Sequence, residues 1–387
     1  MIFQEPKLQP TDLRVLDLIR EQREKLKIYT QHNPRRWMGT LRRSTFARAI
    51  QGSNSIEGYN ASMDEAMAAV EDEPPLDDRT ETWLAISGYR AALTYIMQAA
   101  NDNYFEFSKQ FLKSLHFMMT GFDLSFYPGQ WRPGAVFVVN KQSGQTVYTA
   151  PDADFVDGLI QELIGYLVDR DHDSVAVKAA MAHLNLTMIH PFKDGNGRMA
   201  RALQTLVLAR EGILHPLFSS IEEWLGRNTE EYYAILAEVG RGNWNPQNDA
   251  LPWVRFCLKA HYQQAATLIR RNQEYENLFG IIDQIVENEG INPRVSIPLF
   301  EVALGLRMTN SRYQRVCEVT QYVASRDLKL LSDAGLIRPH GENRGRYYLA
   351  SPALKEARNK VRQQRILTDP YALLFAGREA EPRLPGV

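Results

Sequence analysis

Cysteine is scarce in this 387-residue chain: only Cys257 and Cys317 are present, far apart and with no metal-type spacing. That argues against a disulfide framework and fits a reducing compartment. Long apolar runs are missing as well. None nears the ~20 residues of a membrane span. The opening MIFQEPKLQPTDLRVLDLIREQREKL has no signal-peptide core. A cytoplasmic protein with no membrane partner is expected. Net charge is almost absent, −1 from 45 Lys and Arg against 46 Asp and Glu, so the whole chain is not a polyelectrolyte binder. Internal repeats are lacking too. What is there is 44% hydrophobic and 24% charged, enough to bury a large core, over a length that suggests two or three domains.

The neutral total hides an asymmetry. Residues 291–365 hold 14 Lys and Arg against 6 Asp and Glu, a surplus of +8 on an otherwise acidic body. Along the chain, apolar spacing and capping signals predict helices over 11–30, from Arg42 to a left-handed glycine cap at Gly58, and over 79–101, 107–119, 152–170 and 174–189. EDEPPLDDR reads as a polar link. VFVVNKQSGQTVYTA reads as a β-hairpin around a Ser-Gly turn. In the helix over 174–189, Val177, Met181, Leu184 and Met188 predict a buried stripe. Further helices are expected over 198–213, 229–239 and 251–288, and the end GREAEPRLPGV as disordered.

The densest chemistry is IHPFKDGNGRMAR, residues 189–201. Asp-Gly-Asn-Gly ahead of a helix can fold into a nest of backbone N–H groups that favours an anion. Gly195 and Gly197 allow close approach and positive φ. Arg198 and Arg201 lie three apart on one face, and their planar forks suit phosphate oxygens. Asp194 beside such a nest can hold Mg²⁺, which takes one or two carboxylates plus phosphate oxygens. His190 is the one group here that readily takes a proton near pH 7. Residue by residue, a helix cap, a plain turn, solvated arginines and a zinc pair at His190 and Asp194 are the blander alternatives. Zinc lacks a second His or Cys at useful spacing and leaves the glycines unexplained.

HPFKDGNGRMAR also resembles the motif of the Fic family, HPFx[D/E]GN[G/K]RxxR, at every fixed position. The resemblance covers roughly residues 45–260. It implies a mostly α-helical core with a β-hairpin flap, and transfer of AMP from Mg-ATP to a Ser, Thr or Tyr hydroxyl of a protein. On that resemblance His190 is the catalytic base and Phe192 anchors the loop. Asp194 binds Mg²⁺, Gly195, Asn196 and Gly197 form the anion hole, and Arg198 and Arg201 hold the β- and γ-phosphates. The hairpin at 136–149 resembles the family's flap, which holds the target by strand addition. RNTEEYYAIL resembles the segment closing the adenine pocket, with Asn228 and Tyr232 as candidates there; a packed-core role for Tyr232 or Tyr233 stays open. Self-modification and a homodimer are further implications.

SNSIEG matches the family's inhibitory pattern [S/T]xxxE[G/N] with Ser53, Glu57 and Gly58. Ser53 and Glu57 are four apart, on one helix face. If that face meets the loop, Glu57 can pair with Arg201 and withhold it from ATP. A solvated helix residue is the alternative, and in some relatives the same glutamate serves removal of AMP.

VASRDLKLLSDAGLIRPHGENRGRYYLA resembles a winged helix, with Arg326 and Lys329 on a helix broken at Gly335 and a wing turning near Gly341 and Gly345. Its surplus charge suits a DNA backbone; recruitment of a protein target is the other use. The expected organisation is an N-terminal helical region with the inhibitory motif (1–110), a catalytic core (111–260), a linking helix (261–290), a winged-helix-like domain (291–352) and a tail (353–387). The expected function is a self-inhibited protein adenylyltransferase. A de-AMPylase on the same fold and a DNA-binding regulator with a nucleotide-sensing core are the rivals.

Overall fold

The structure, a computed structural model, describes residues 1–31, 35–74, 80–139, 146–169, 172, 174–210, 216–342 and 345–379. The Ser-Gly turn expected in the hairpin, much of the EDEPPLDDR link and the last eight residues lie outside the described ones. The chain forms two compact units: residues 1–27, 45–266 and 367–387 make the first, residues 28–44 and 267–366 the second. The expected N-terminal region and catalytic core thus fall largely within one unit.

The first unit is helical. In chain order it contains α1 (Pro10–Gln31), the C-terminal part of α2 (Met38–Ile56), α3 (Met63–Val70), α4 (Glu81–Asn101) and α5 (Lys109–Thr120). The antiparallel pair β1 (Phe137–Val139) and β2 (Thr146–Thr149) follows, with Val138 opposite Tyr148. Then come α6 (Ala153–Val168), α7 (Val175–Ile189), α8 (Asn196–Arg210), α9 (Pro216–Ser219), α10 (Glu222–Arg227), α11 (Thr229–Gly240) and the start of α12 (Leu251–Asn288). Side-chain caps set several starts: Thr80 for α4, Ser108 for α5, and a Ser62/Glu65 capping box for α3.

α7 is the central helix, and its burial exceeds the predicted stripe. Val177, Met181, Leu184 and Met188 enter one apolar cluster with Trp224, Trp253 and Phe256. Ala179, Ala182, Leu186 and Ile189 enter a second cluster with Tyr89, Leu115 and Leu206. A helix apolar all round is one buried all round. α8 packs along it and is buried nearly throughout, so the two arginines at its start sit inside the unit, not on its surface. Two glycines draw α2 against α10. A Cβ on Gly52 would lie 2.5 Å from the Glu222 carbonyl oxygen, and one on Gly226 would lie 2.6 Å from Gly52 Cα.

The tail expected from residue 353 contains two helices, α16 (Pro352–Val361) in the second unit and α17 (Pro370–Glu379) in the first. Gly377–Glu379, expected to be disordered, fall within α17. Its Tyr371 donates to Asp12 Oδ1 at 3.1 Å and packs with Leu374 on the α7 cluster.

In the second unit α13 (Ser296–Ala303), β3 (Met308–Thr309), α14 (Asn310–Cys317), α15 (Gln321–Asp333), β4 (Ile337–His340) and β5 (Tyr347–Ala350) precede α16. The sheet order is β3-β5-β4, antiparallel throughout. Buried Glu301 receives Arg312 at 3.0 Å and Arg43 at 2.5 Å. Arg294 and Tyr313 converge on Asp327 at 2.7 and 3.0 Å. Among the described residues no helix is long and apolar enough to cross a membrane.

Candidate active site

α7 ends because His190 turns left-handed, φ 53°, ψ 57°, with its N–H on the Leu186 carbonyl. The ring then points back: Nδ1 lies 3.1 Å from the Thr187 carbonyl and must donate to it, which leaves Nε2 as the acceptor. Burial is the main influence holding His190 below the usual histidine range; the Arg132 charge adds to it, while the Thr187 carbonyl, Glu57 and Asp194 oppose it. A neutral ring with a lone pair on Nε2 is the competent form of a base.

Phe192 is fully buried and stacks on His116 at 3.8 Å between centroids, with Trp131 at 5.1 Å. Asn196 folds back on it: Phe192 N–H donates to Asn196 Oδ1 at 2.9 Å, and Asn196 Nδ2 donates to the Phe192 carbonyl at 2.8 Å. That side chain is committed to closing the loop, so only the Asn196 backbone N–H is left for an anion. Gly195 has φ 75°, as the turn requires. Gly197 does not share it. It lies in the first turn of α8, and its lack of a Cβ serves space, since a Cβ there would lie 2.3 Å from Glu57 Oε1. The first N–H groups of α8 have no partner within the helix.

Asp194 is half-exposed, with Oδ1 3.3 Å from Arg198 Nη2. One accessible carboxylate beside a helix start fits Mg²⁺, which completes its shell with phosphate oxygens and water. Among the described residues no cluster of three or more His, Cys, Asp or Glu could hold a metal ion. The Arg198 guanidinium lies 5.1 Å from the Tyr59 ring centroid; its Nε and Nη1 are buried without a hydrogen-bond partner. Arg201 donates from Nε to Ser53 Oγ at 2.7 Å, and from Nη2 to the Ser53 carbonyl at 3.0 Å and Glu57 Oε1 at 2.6 Å. Its Nη1 is buried and unpartnered. Burial would raise the Glu57 carboxyl, but the charge and hydrogen bond of Arg201, then the charge of Arg198, outweigh it and hold it below the usual range. Gly58, at φ 96°, turns the chain off α2.

Asn228 joins α10 to α11 and donates to the Trp224 carbonyl at 2.7 Å. Tyr232, expected on the adenine pocket, is 1% exposed; its hydroxyl is 3.0 Å from His183 Nε2 and its ring packs near Trp253 and Phe256. The core placement, left open in the sequence, is the one it takes. Tyr233 is the more exposed neighbour, and it donates to the Ile56 carbonyl beside Glu57 at 3.1 Å.

Two side chains outside the loop support it. His116 accepts from the Gly129 N–H at Nδ1, 2.9 Å, and therefore donates from Nε2 to the Asp194 carbonyl, 3.0 Å. Burial lowers its pKa to about 4, so the ring stays neutral. Arg132 reaches the His190 carbonyl. Their signal was present as a histidine among Leu112, Leu115 and Met119 on an amphipathic helix, followed by Gly129 and Arg132.

Residues 106–208 match the family model described as Fic/DOC family. The chain therefore carries a Fic/DOC domain, and the whole motif lies within it. Over 258 residues it is 25% identical to protein adenylyltransferase Fic of Nematostella vectensis, covering 66% of this chain and 55% of that one. A probable protein adenylyltransferase of Aquifex aeolicus is 29% identical over 205 residues, 50% of this chain and 59% of its own. The chain spans about half the length of the curated relatives it matches. A Fic family protein from Desulfovibrio desulfuricans has the same fold, with a TM-score of 0.59 at 19% identity over 90% of this chain and 99% of that one. Fic-1 (residues 134–508) from C. elegans gives 0.53 at 22%, over 66% and 72%.

Proposed function

We propose that the protein is a Mg-ATP-dependent protein adenylyltransferase held in check by its own Glu57. The observation that carries this is the combination, within one loop, of a neutral His190 with Nε2 free and of two buried arginines with unpartnered donors. In the proposed reaction His190 Nε2 accepts the proton of a Ser, Thr or Tyr hydroxyl. The oxygen attacks the α-phosphorus of ATP, the bond to the β-phosphate bridging oxygen breaks, and pyrophosphate leaves. Arg198 and Arg201 hold the departing phosphates. The backbone of Gly195, Asn196 and Gly197 receives the charge that grows on phosphate oxygens. Mg²⁺ at Asp194 would neutralise phosphate charge when bound. The pair from Glu57 to Arg201 and the bonds from Ser53 support self-inhibition, because Arg201 cannot serve both partners. The names of the relatives support the reaction class.

In the second unit, the succession α13-β3-α14-α15-β4-β5 with a three-stranded antiparallel sheet supports the winged-helix reading. Arg326, Lys329, Arg338 and Arg346 are exposed along α15 and the wing, with Arg326 also 3.2 Å from Asp327. They favour a DNA or acidic-protein partner there.

Incubation with α-labelled ATP and lysate tests the main reading. Label in protein with the wild type or Glu57→Gly supports it, and none with either refutes it. A gel shift at physiological salt tests the DNA-binding alternative.

A further inference from the structure

Arg132 is 3% exposed, yet the hydrogen bonds of its guanidinium go to backbone carbonyls. Nε donates to the His190 carbonyl at 2.9 Å, Nη1 to Gly134 at 2.6 Å, and Nη2 to Pro151. Its own N–H donates to the Pro191 carbonyl at 2.9 Å. Gly134 precedes β1 and Pro151 follows β2, so one side chain ties both roots of the hairpin to the residue carrying the base. Tyr148 adds a second tie from inside the hairpin, donating to the Met188 carbonyl at 2.8 Å. Burial lowers the pKa of this guanidinium; the Asp152 charge and Tyr148 oppose it without outweighing it, and a buried charge with no carboxylate among its hydrogen-bond partners is costly unless its geometry is required.

We infer that Arg132 is a positioning residue that fixes His190 against both roots of the β1–β2 hairpin, so that a chain lying on the hairpin meets the base at one set distance. This rests on the proposed reaction. The fork uses three separate nitrogens to hold three carbonyls spread around it; a lysine carries its three donors on one nitrogen and cannot span the same positions. Transfer depends on that distance: misplacement by ~1 Å can lower the rate ~100-fold. Arg132 has an electrostatic consequence too. Its charge helps keep His190 neutral, against Glu57 and Asp194, which favour protonation, and the Thr187 carbonyl, which does the same.

The test uses the full chain carrying Glu57→Gly, with self-labelling from α-labelled ATP as the transfer readout. The pH titration of the His190 ring by NMR serves as a readout that needs no activity. Arg132→Gln should lower self-labelling ~100-fold, leave Mg-ATP affinity within about threefold, and move the His190 pKa upward. Arg132→Lys keeps the charge but not the three-way fork, so the pKa should hold while labelling still falls. Labelling by the Lys variant near the parent's rate would overturn the inference, as would an unmoved His190 titration in a folded Gln variant. If the parent labels neither itself nor lysate protein, the proposed reaction fails, while the NMR shift still reports on Arg132; if it labels only lysate protein, that label becomes the transfer readout.

Discussion

Replacing Glu57 by glycine is the perturbation that separates an inhibitory carboxylate from an ordinary one. Glu57 Oε1 sits 2.6 Å from Arg201 Nη2, with the Arg201 side chain fully buried and that of Glu57 24% exposed. A hydrogen bond to a charged group contributes about 1.5–3 kcal/mol net. At a tenfold per 1.4 kcal/mol, its removal should raise labelling by ~10- to ~100-fold if ATP must break it. The arginine should not swing away, because its Ser53 bonds at 2.7 and 3.0 Å remain. Glu57 follows the last residue of α2 and precedes Gly58 at φ 96°, so little helix propensity is at stake. Stability should move the other way. Leaving Arg201 buried and unpaired costs on the order of 3 kcal/mol, so the ATP-free variant should melt lower than wild type and recover more on adding Mg-ATP. The assay is label incorporation by wild type, Glu57→Gly, Arg201→Ala and the double variant at equal concentration. Arg201→Ala should not mimic Glu57→Gly, and the double variant should resemble Arg201→Ala. Unchanged or lower labelling by Glu57→Gly, with ATP affinity intact, would refute the reasoning.

His190→Ala in the Glu57→Gly chain should lose labelling by ~100-fold or more yet bind ATP, because it removes only the proton acceptor; near-parental labelling would assign the base elsewhere. Asp194→Ala should abolish Mg²⁺-dependent labelling, read by titrating Mg²⁺ at fixed ATP; a Mg²⁺ response like the parent's would move the metal elsewhere. Gly52→Ala should destabilise by ~1–3 kcal/mol in urea unfolding, since its Cβ meets the Glu222 carbonyl at 2.5 Å. Acid should weaken the fold early. Burial lowers His116 to about 4 and His183 and His261 to about 3. For a group whose folded pKa is depressed, the unfolded chain binds the proton first. Stability from these histidines is therefore intact above the unfolded value of ~6.5 and falls as pH drops towards the folded values. Urea midpoints at pH 7.5 and pH 5 check this, and equal midpoints would contradict it.

The loop was legible because its chemistry is contiguous. From His190 to Arg201 one turn and one helix start set the relative positions, so residue type and spacing were enough to bring these side chains together, though not to foresee the helical backbone of Gly197; their roles belong to the proposal. Most of the long helices were legible too, since their caps and periods are local, while the short α3 and α10 were not expected. What supports the loop was not. His116 and Arg132 contact it from 58 or more residues away, and only packing brings them there. The predicted stripe on α7 is one of two buried faces; alanines at 179 and 182 carry no strong periodic signal, yet they let the second cluster close on the helix. Tyr232 and Tyr233 are adjacent on α11 and turn to different surroundings, a core histidine and the end of α2. Sequence spacing gave no way to choose between them. α17 was hidden for a similar reason: its anchor, Tyr371 on Asp12, joins residues 359 apart.

The site's two arginines explain why inhibition and phosphate binding would share one device. Arg201 has three bonds to α2 and the residue just after it, and one buried nitrogen without a partner. Arg198 has one contact to Asp194 and two such nitrogens. A buried donor left unmade costs roughly 1–3 kcal/mol, so under the proposed reading these nitrogens would favour a ligand with several acceptor oxygens over a carboxylate that reaches one guanidinium. Glu57 offsets that advantage by position. Its oxygen fills the space that Gly197 leaves open at the start of α8, where the helix would otherwise welcome an anion. On the proposed reading a polyphosphate would bind beside it through Arg198, and full engagement of Arg201 would require the carboxylate to leave. A Cβ at 197 would meet Glu57 Oε1 at 2.3 Å, so in the proposed scheme glycine there would serve twice, for the approach of a phosphate chain and for the reach of Glu57 to Arg201.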